Sequence, residues 1–221
     1  FSSLTRPVSY IWYFGDGTYV SGTVQTPDGT IVATHTYPDD NPTGTPSDQY
    51  TTTLRVTDSS GGIGVAVTTV TVEDVVPAVT ALAATPPVVE GGFSTVSGSF
   101  ADVGLLDTHT VTVDWGDGTV GPATVTESGG SGTFTASHQY LDDNPTGTPS
   151  DSYTITVTVT DDDTGAATQS TVVTVGNVAP VVTALAATPP VVEGGFSTVS
   201  GSFTDVGLLD THTVTVDWGD G

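Results

Sequence analysis

The chain has 221 residues, 25 of them Asp or Glu against two basic side chains, Arg6 and Arg55, so its formal charge is −23. Phosphate backbones and anionic lipid surfaces need clustered Lys and Arg, so nucleic acid and acidic membranes are excluded as partners. The charge does not bring disorder, because 36% of residues are apolar and 8% aromatic, more than an acidic disordered tail carries. A total of 44 Thr and 34 Val, with no Lys, Met or Cys, favours strands and predicts an all-β chain. The absence of Cys removes disulfides and thiolate metal sites. No apolar run approaches the ~20 residues of a membrane span, and no basic leader opens the chain; if the protein is secreted, its signal lies outside this segment.

Self-comparison sets the organisation. Residues Val79–Gly118 match Val182–Gly221 at 39 of 40 positions, and His35–Asp48 match His138–Asp151 at 12 of 14, both at an offset of 103. A period of about 103 residues is the size of one β-sandwich, which predicts a tandem array. Pro77 and Pro180 close the strand-like runs VTVEDVVP and VTVGNVAP and mark the boundaries.

In chain order, residues 1–74 read as the C-terminal part of a repeat, opening on the strand and hairpin of YIWYFGDGT. Residues 75–177 read as a complete repeat with strands beginning near 79, 93, 108, 119, 132, 152 and 167. Period-two alternation puts Val111, Val113 and Trp115 on one face and Thr110, Thr112 and Asp114 on the other, and sets Tyr153, Ile155, Val157 and Val159 inward. Turns are expected at Pro86-Pro87, Gly91-Gly92, Asp117-Gly118, Gly129-Gly130, Pro145–Pro149 and Thr164-Gly165. Residues 178–221 read as the N-terminal part of a further repeat, ending at DWGDG. The linkers lack Gly/Ser tracts, so successive units should sit end to end. Phe14, Trp115 and Trp218 are expected to pack into cores, and His35 and His138, each two residues before a Tyr, to be structural. His109 and His212 are placed on a polar face and given no role.

These landmarks resemble the PKD-type immunoglobulin-like domain found in tandem on extracellular proteins. YIWYFGDGT and VTVDWGDGT, then HTY with YTTTLRVTD and HQY with YTITVTVTD, follow that family's aromatic, GDG, His-x-Tyr and Tyr-Thr order. The DDNPTGTPSD insert replaces what is often a short Gly turn. The resemblance implies tandem immunoglobulin-like β-sandwich repeats on or outside a cell surface, acting in adhesion, spacing or architecture, and no reaction.

A search for chemistry returns one constellation. Asp163-Thr164-Gly165 echoes an aspartic-protease triplet but follows Asp161-Asp162 at a turn, and Gly61-Gly62-Ile63-Gly64 departs from a calcium β-roll because Ala66 stands where Asp is needed. Asp39, Asp40, Asn41 and Asp48, repeated as Asp142, Asp143, Asn144 and Asp151, place hard oxygens in one Gly/Pro loop, and Asp161, Asp162 and Asp163 crowd a second turn. Calcium takes six to eight such oxygens, and binding it would relieve self-repulsion; equally, Asp and Asn serve as turn formers and solvating groups. Both Asn-Pro-Thr triplets exclude N-glycans, while Thr43, Thr45, Thr146 and Thr148 beside Pro are candidates for O-linked sugar or remain bare.

The expected role is a non-catalytic structural or adhesive repeat protein, extracellular or on the cell surface, building a stalk, sheath or filament from end-to-end sandwiches, with structural Ca2+ as the candidate cofactor. Its partners would be like copies of itself, head to tail or lateral, or other surface proteins or polysaccharide, with no nucleic acid and no membrane insertion in this segment. Complementary part-repeats at the two ends allow strand exchange between molecules; equally, they are boundaries within a longer chain. The competing reading is a carbohydrate- or protein-binding module of a secreted hydrolase, with Tyr13 and Tyr19 as the exposed aromatics.

Overall fold

The computed structural model describes residues 7–25, 29–40, 44–85, 88–143, 147–188 and 191–219. Among them every regular element is a strand, as the β-branched composition requires. The first sheet is built from β1 (Val8–Tyr13), β2 (Tyr19–Val24), β3 (Ser47–Thr57) and β4 (Ile63–Glu73) in the order β2-β1-β3-β4. Nine strands follow: β5 (Ala78–Ala84), β6 (Val88–Val89), β7 (Phe93–Ala101), β8 (Thr110–Asp114), β9 (Val120–Pro122), β10 (Thr124–Glu127), β11 (Ser131–Gln139), β12 (Ser150–Thr160) and β13 (Ala166–Gly176). They form two sheets, β10-β11-β7-β5 and β6-β13-β12-β8-β9. A last pair, β14 (Val181–Ala187) and β15 (Val199–Thr204), is antiparallel.

The two central sheets close face to face on one core, an immunoglobulin-like sandwich. Val96, Phe100 and Phe134 from one sheet meet Val111, Val113, Ile155, Val157, Val159, Val173 and Val175 from the other. The alternation read from the sequence is the alternation observed: β8 and the first six residues of β12 have every second residue buried. Hydroxyls pair across strands on the outer faces, as in Thr95–Ser137 and Thr156–Ser170 at 2.8 and 3.0 Å.

Three features differ from expectation. The strand foreseen near residue 119 is two strands, because β9 pairs with β8 while β10 pairs with β11, and the chain changes sheets at Ala123. The two-residue β6 runs parallel to β13, Val88 opposite Val175 and Val89 opposite Gly176. Trp218 is 56% exposed, whereas Phe14 and Trp115 are buried as expected, and residues 211–219 around it form no strand.

GDG turns close β1–β2 and β8–β9. Asp117 Oδ1 accepts the Thr119 amide at 2.9 Å, Asp16 Oδ1 accepts that of Thr18 at 3.0 Å, and Gly118 and Gly17 take φ of 91° and 89°, a region open to glycine. Each turn carries a histidine. His138 Nε2 lies 2.6 Å from Asp117 Oδ2, with its ring stacked on Trp115 and edge-on to Tyr140; His35 repeats this on Asp16, Phe14 and Tyr37. Both are structural, satisfied histidines.

Candidate metal centre

The tyrosine after each histidine fixes an acidic loop. Tyr140 Oη donates to the Trp115 carbonyl at 2.8 Å and Tyr37 Oη to that of Phe14 at 2.9 Å. From the next strand, Tyr153 Oη donates to the Asp142 carbonyl at 3.1 Å and Tyr50 Oη to that of Asp39 at 3.0 Å. Each Asp-Asp pair is thus held from both sides at the end of its sheet. The loop after β7 docks on the first of them: Leu106 N–H donates to Asp39 Oδ2 at 2.8 Å and Leu105 N–H to the Pro38 carbonyl at 3.2 Å. The loop after β15 docks on the second, Leu209 N–H to Asp142 Oδ2 at 2.6 Å and Leu208 N–H to the Leu141 carbonyl at 3.4 Å. The same contact therefore recurs one 103-residue period apart.

Carboxylates collect at both contacts. At the first, Asp39, Asp40 and Asp107 form one group, Asp40, Asp74 and Asp163 a second, and Asp107, Asp162 and Asp163 a third, with ligand oxygens in each lying within 4.8 Å of one another. At the second contact Glu90, Asp142, Asp143 and Asp210 converge by the same measure. A side chain added at Gly165 would fall between Asp161 and Asp74, and one at Gly207 between Glu90 and Asp210, so each glycine keeps open a small cradle of oxygens. Thr164 has φ of 76°, costly for a β-branched residue, and its turn holds Asp163 inside the cluster.

Asp163 is fully buried and Asp107 is 7% exposed, yet both oxygens of each have no hydrogen-bond partner. One buried oxygen is likewise unpartnered on Asp40, Asp74, Asp161, Glu90 and Asp143. Among the described residues every ion pair is made by a histidine, and none reaches these oxygens. Burial, then the charges of Asp39, Asp102, Asp162 and Asp163, pushes Asp107 up to about 7. Burial, then Asp40, Asp162 and Asp74, pushes Asp163 up to about 6. Asp40, Asp74, Asp161, Glu90 and Asp143 move in the same direction, burial being the first cause in each. Buried carboxylates crowded without counter-charge are costly unless a cation joins them. The donor set is all hard oxygen, the chemistry of Ca2+ rather than of a soft transition metal.

Of the residues singled out in the sequence, Asp39 and Asp40 meet Asp162 and Asp163 across the first contact, through Asp107 and Asp74. Asp161 lines the same region beside Gly165, whose amide it accepts at 2.7 Å. Asp142 and Asp143 belong to the second cluster. Asp48 and Asp151 stand apart from these groups; both are buried, and Thr148 donates to Asp151 Oδ1 at 3.1 Å. Asn41, Asn144, Thr43, Thr146, Pro86 and Pro87 lie outside the described residues. Thr45 and Thr148 donate to the Ser47 and Ser150 carbonyls at 3.2 and 2.8 Å.

Sequence reasoning missed Asp74, Asp107, Glu90 and Asp210. The available signal was the repeated VGLLDTH, which carries Asp107 and Asp210 at matching positions, and an acidic residue at the Pro77 boundary. His109 was also misplaced. Its position shares parity with Val111, so it points inward, where Nε2 meets Asp102 Oδ2 at 3.0 Å and Nδ1 meets Glu127 Oε2 at 2.8 Å. Burial works against its charge, but the bonds to Asp102 and Glu127 win and raise its pKa.

No protein-family profile matches the chain, and no curated protein sequence matches it. Among solved structures, the protocadherin GammaB4 extracellular domain is similar at 23% identity over 62% of this chain, with a TM-score of 0.27. The match spans 22% of that protein's length. At that score the fold assignment rests on the sheets described above. No helix among the described residues is long and apolar enough to cross a membrane.

Proposed function

We propose that this chain is a non-catalytic structural array of PKD-like repeats, extracellular or on a cell surface, in which Ca2+ joins one sandwich to the next. The units are residues 1–74, 75–177 and 178–221, the first and last being parts of a repeat. The observation that carries this reading is the recurrence of one contact at both boundaries: a Leu-Leu-Asp loop seated by backbone hydrogen bonds on a Tyr-anchored Asp-Asp loop, with buried, unpartnered carboxylates beside it. A binding cleft would be local to one unit, whereas this feature repeats with the array and lies where units meet. Asp39, Asp40, Asp74, Asp107, Asp161, Asp162 and Asp163 would hold calcium at the first boundary, and Glu90, Asp142, Asp143 and Asp210 at the second. The cation would cancel the like charges that otherwise push the loops apart, converting a loose joint into a stiff one. Such an array suits a stalk, sheath or filament and partners that are further copies or other surface proteins.

Small-angle scattering of the chain in excess EDTA and in millimolar calcium tests this. Calcium should lengthen and narrow the distance distribution and raise the thermal midpoint. Identical profiles and midpoints in both conditions would remove calcium from the account.

One observation favours a second role in the first unit. Tyr13 and Tyr19 face each other across β1 and β2, 41% and 65% exposed, with ring centroids 6.0 Å apart. An exposed aromatic pair on a strand face fits stacking on sugar rings. Retention on insoluble polysaccharide, abolished by Tyr13→Ala with Tyr19→Ala, would support the accessory-module reading; no retention of the intact chain would remove it.

A further inference from the structure

The first boundary carries more oxygens than one cation can use, and their arrangement is closed. Six carboxylates (Asp39, Asp40, Asp74, Asp107, Asp162 and Asp163) fall into three groups, and each pair of groups shares one residue: Asp40, Asp163 or Asp107. A cation bonded at about 2.3–2.6 Å gathers oxygens that lie within about 5 Å of one another. One ion therefore fits any single group. It does not serve Asp39 and Asp163 together, because no group contains both. An ion held by Asp39, Asp40 and Asp107 leaves the fully buried Asp163 with neither oxygen compensated. An ion held by Asp163 with Asp40 and Asp74, or with Asp107 and Asp162, leaves the first group short in turn. Two of the three shared residues, Asp107 and Asp163, have both oxygens unpartnered, as a carboxylate placed to give one oxygen to each of two ions requires.

Resting on the calcium reading above, we infer that the first boundary is a multinuclear site holding at least two divalent cations, with Asp40, Asp107 and Asp163 bridging them. At the second boundary Glu90, Asp142, Asp143 and Asp210 form one group among the described residues, and the position matching Asp74 is Asn177. One cation serves that group. Filling at the first boundary is cooperative, because Asp40, Asp107 and Asp163 are each shared by two groups, so an ion that fixes one of them for its own group places it for the next.

Native mass spectrometry of the whole chain during a calcium titration counts the ions, and two isosteric variants assign them. Asp210→Asn removes a ligand from the second boundary and should leave at least two bound ions, gained together over a narrow calcium range. Asp163→Asn in the Asp210→Asn background should leave one ion at the same calcium concentration. Asp163→Asn also removes a repelled charge, so its thermal midpoint should rise in EDTA and fall in calcium relative to the parent, a pair of shifts that misfolding would not produce. Should Asp210→Asn fail to fold, Glu90→Gln takes its place. Terbium and europium loaded together supply a second readout, since energy transfer between them requires neighbouring ions. A single ion in the Asp210→Asn variant, with no lanthanide transfer, overturns the multinuclear site while leaving calcium at the boundaries. No calcium bound to the parent chain overturns both.

Discussion

Titrating the metal-free chain between pH 5 and pH 8 exposes the carboxylate clusters directly. A carboxyl whose folded pKa is raised adds stability below its unfolded value and loses it as pH climbs through the folded one. Asp107 moves from 3.8 to about 7, so between pH 5 and 8 it removes roughly 3 kcal/mol of stability. Asp163, raised to about 6, removes roughly 1 kcal/mol over the same window. His109, whose pKa is also raised, acts in the same direction. At roughly 2–4 °C per kcal/mol for a chain of this length, the midpoint in EDTA should fall by about 8–16 °C from pH 5 to pH 8. Differential scanning calorimetry in EDTA, repeated in millimolar calcium, measures it. Calcium needs the ionised carboxylates, so the slope should flatten or reverse with the metal present. Asp107→Asn should make the slope in EDTA clearly shallower. A midpoint that stays level or rises with pH in EDTA, or a slope unchanged in Asp107→Asn, would refute the assignment of buried, like-charged carboxyls to the boundary.

Three substitutions probe the scaffold by chemical denaturation. Tyr140→Phe strips the buried Trp115 carbonyl of its 2.8 Å donor and should cost about 1–2 kcal/mol; a change below about 0.5 kcal/mol, the scatter of a neutral surface substitution, would count against the tyrosine anchor. Gly98→Ala drives a methyl into the Ala81 carbonyl and the Phe134 ring and should cost about 1–3 kcal/mol or more, so unchanged stability would contradict the packing of β5 on β7. Thr164→Gly relieves the φ of 76° and should gain about 1 kcal/mol in calcium, with a loss showing that the turn does not hold that conformation.

The sandwich was legible because its signals are local. Alternation along VTVDW and YTITVTV fixes which side chains point inward without knowledge of what they meet, and all of Val111, Val113, Trp115, Ile155 and Val157 are buried. Asp117-Gly118 likewise declares its turn by its own chemistry. The clusters are legible only by halves. Asp39 and the amide of Leu106 lie 67 positions apart, and the loop and the turn that sequence shows as two separate acidic runs meet only in the folded chain, through Asp74 and Asp107. Asp107 is a single acid after two leucines, and nothing in its neighbours marks it as a ligand. His109 failed for a different reason: it precedes the first residue of β8, so the polar Thr on either side outweighed the strand parity that aims it inward.

The two-residue strand β6 has a mechanical consequence. It runs parallel to the end of β13, where the Glu90 amide donates to the Gly176 carbonyl at 3.0 Å and the Glu90 carboxylate accepts the Val178 amide at 2.6 Å. Tension applied through the linkers pulls β5 and β6 one way and β13 the other, along the strand axes. The bonds of this patch are then sheared together rather than peeled in sequence, and the patch borders the carboxylates of the second boundary. Force transmitted along the chain would meet resistance where Glu90 ties the sandwich to the segment that follows β13.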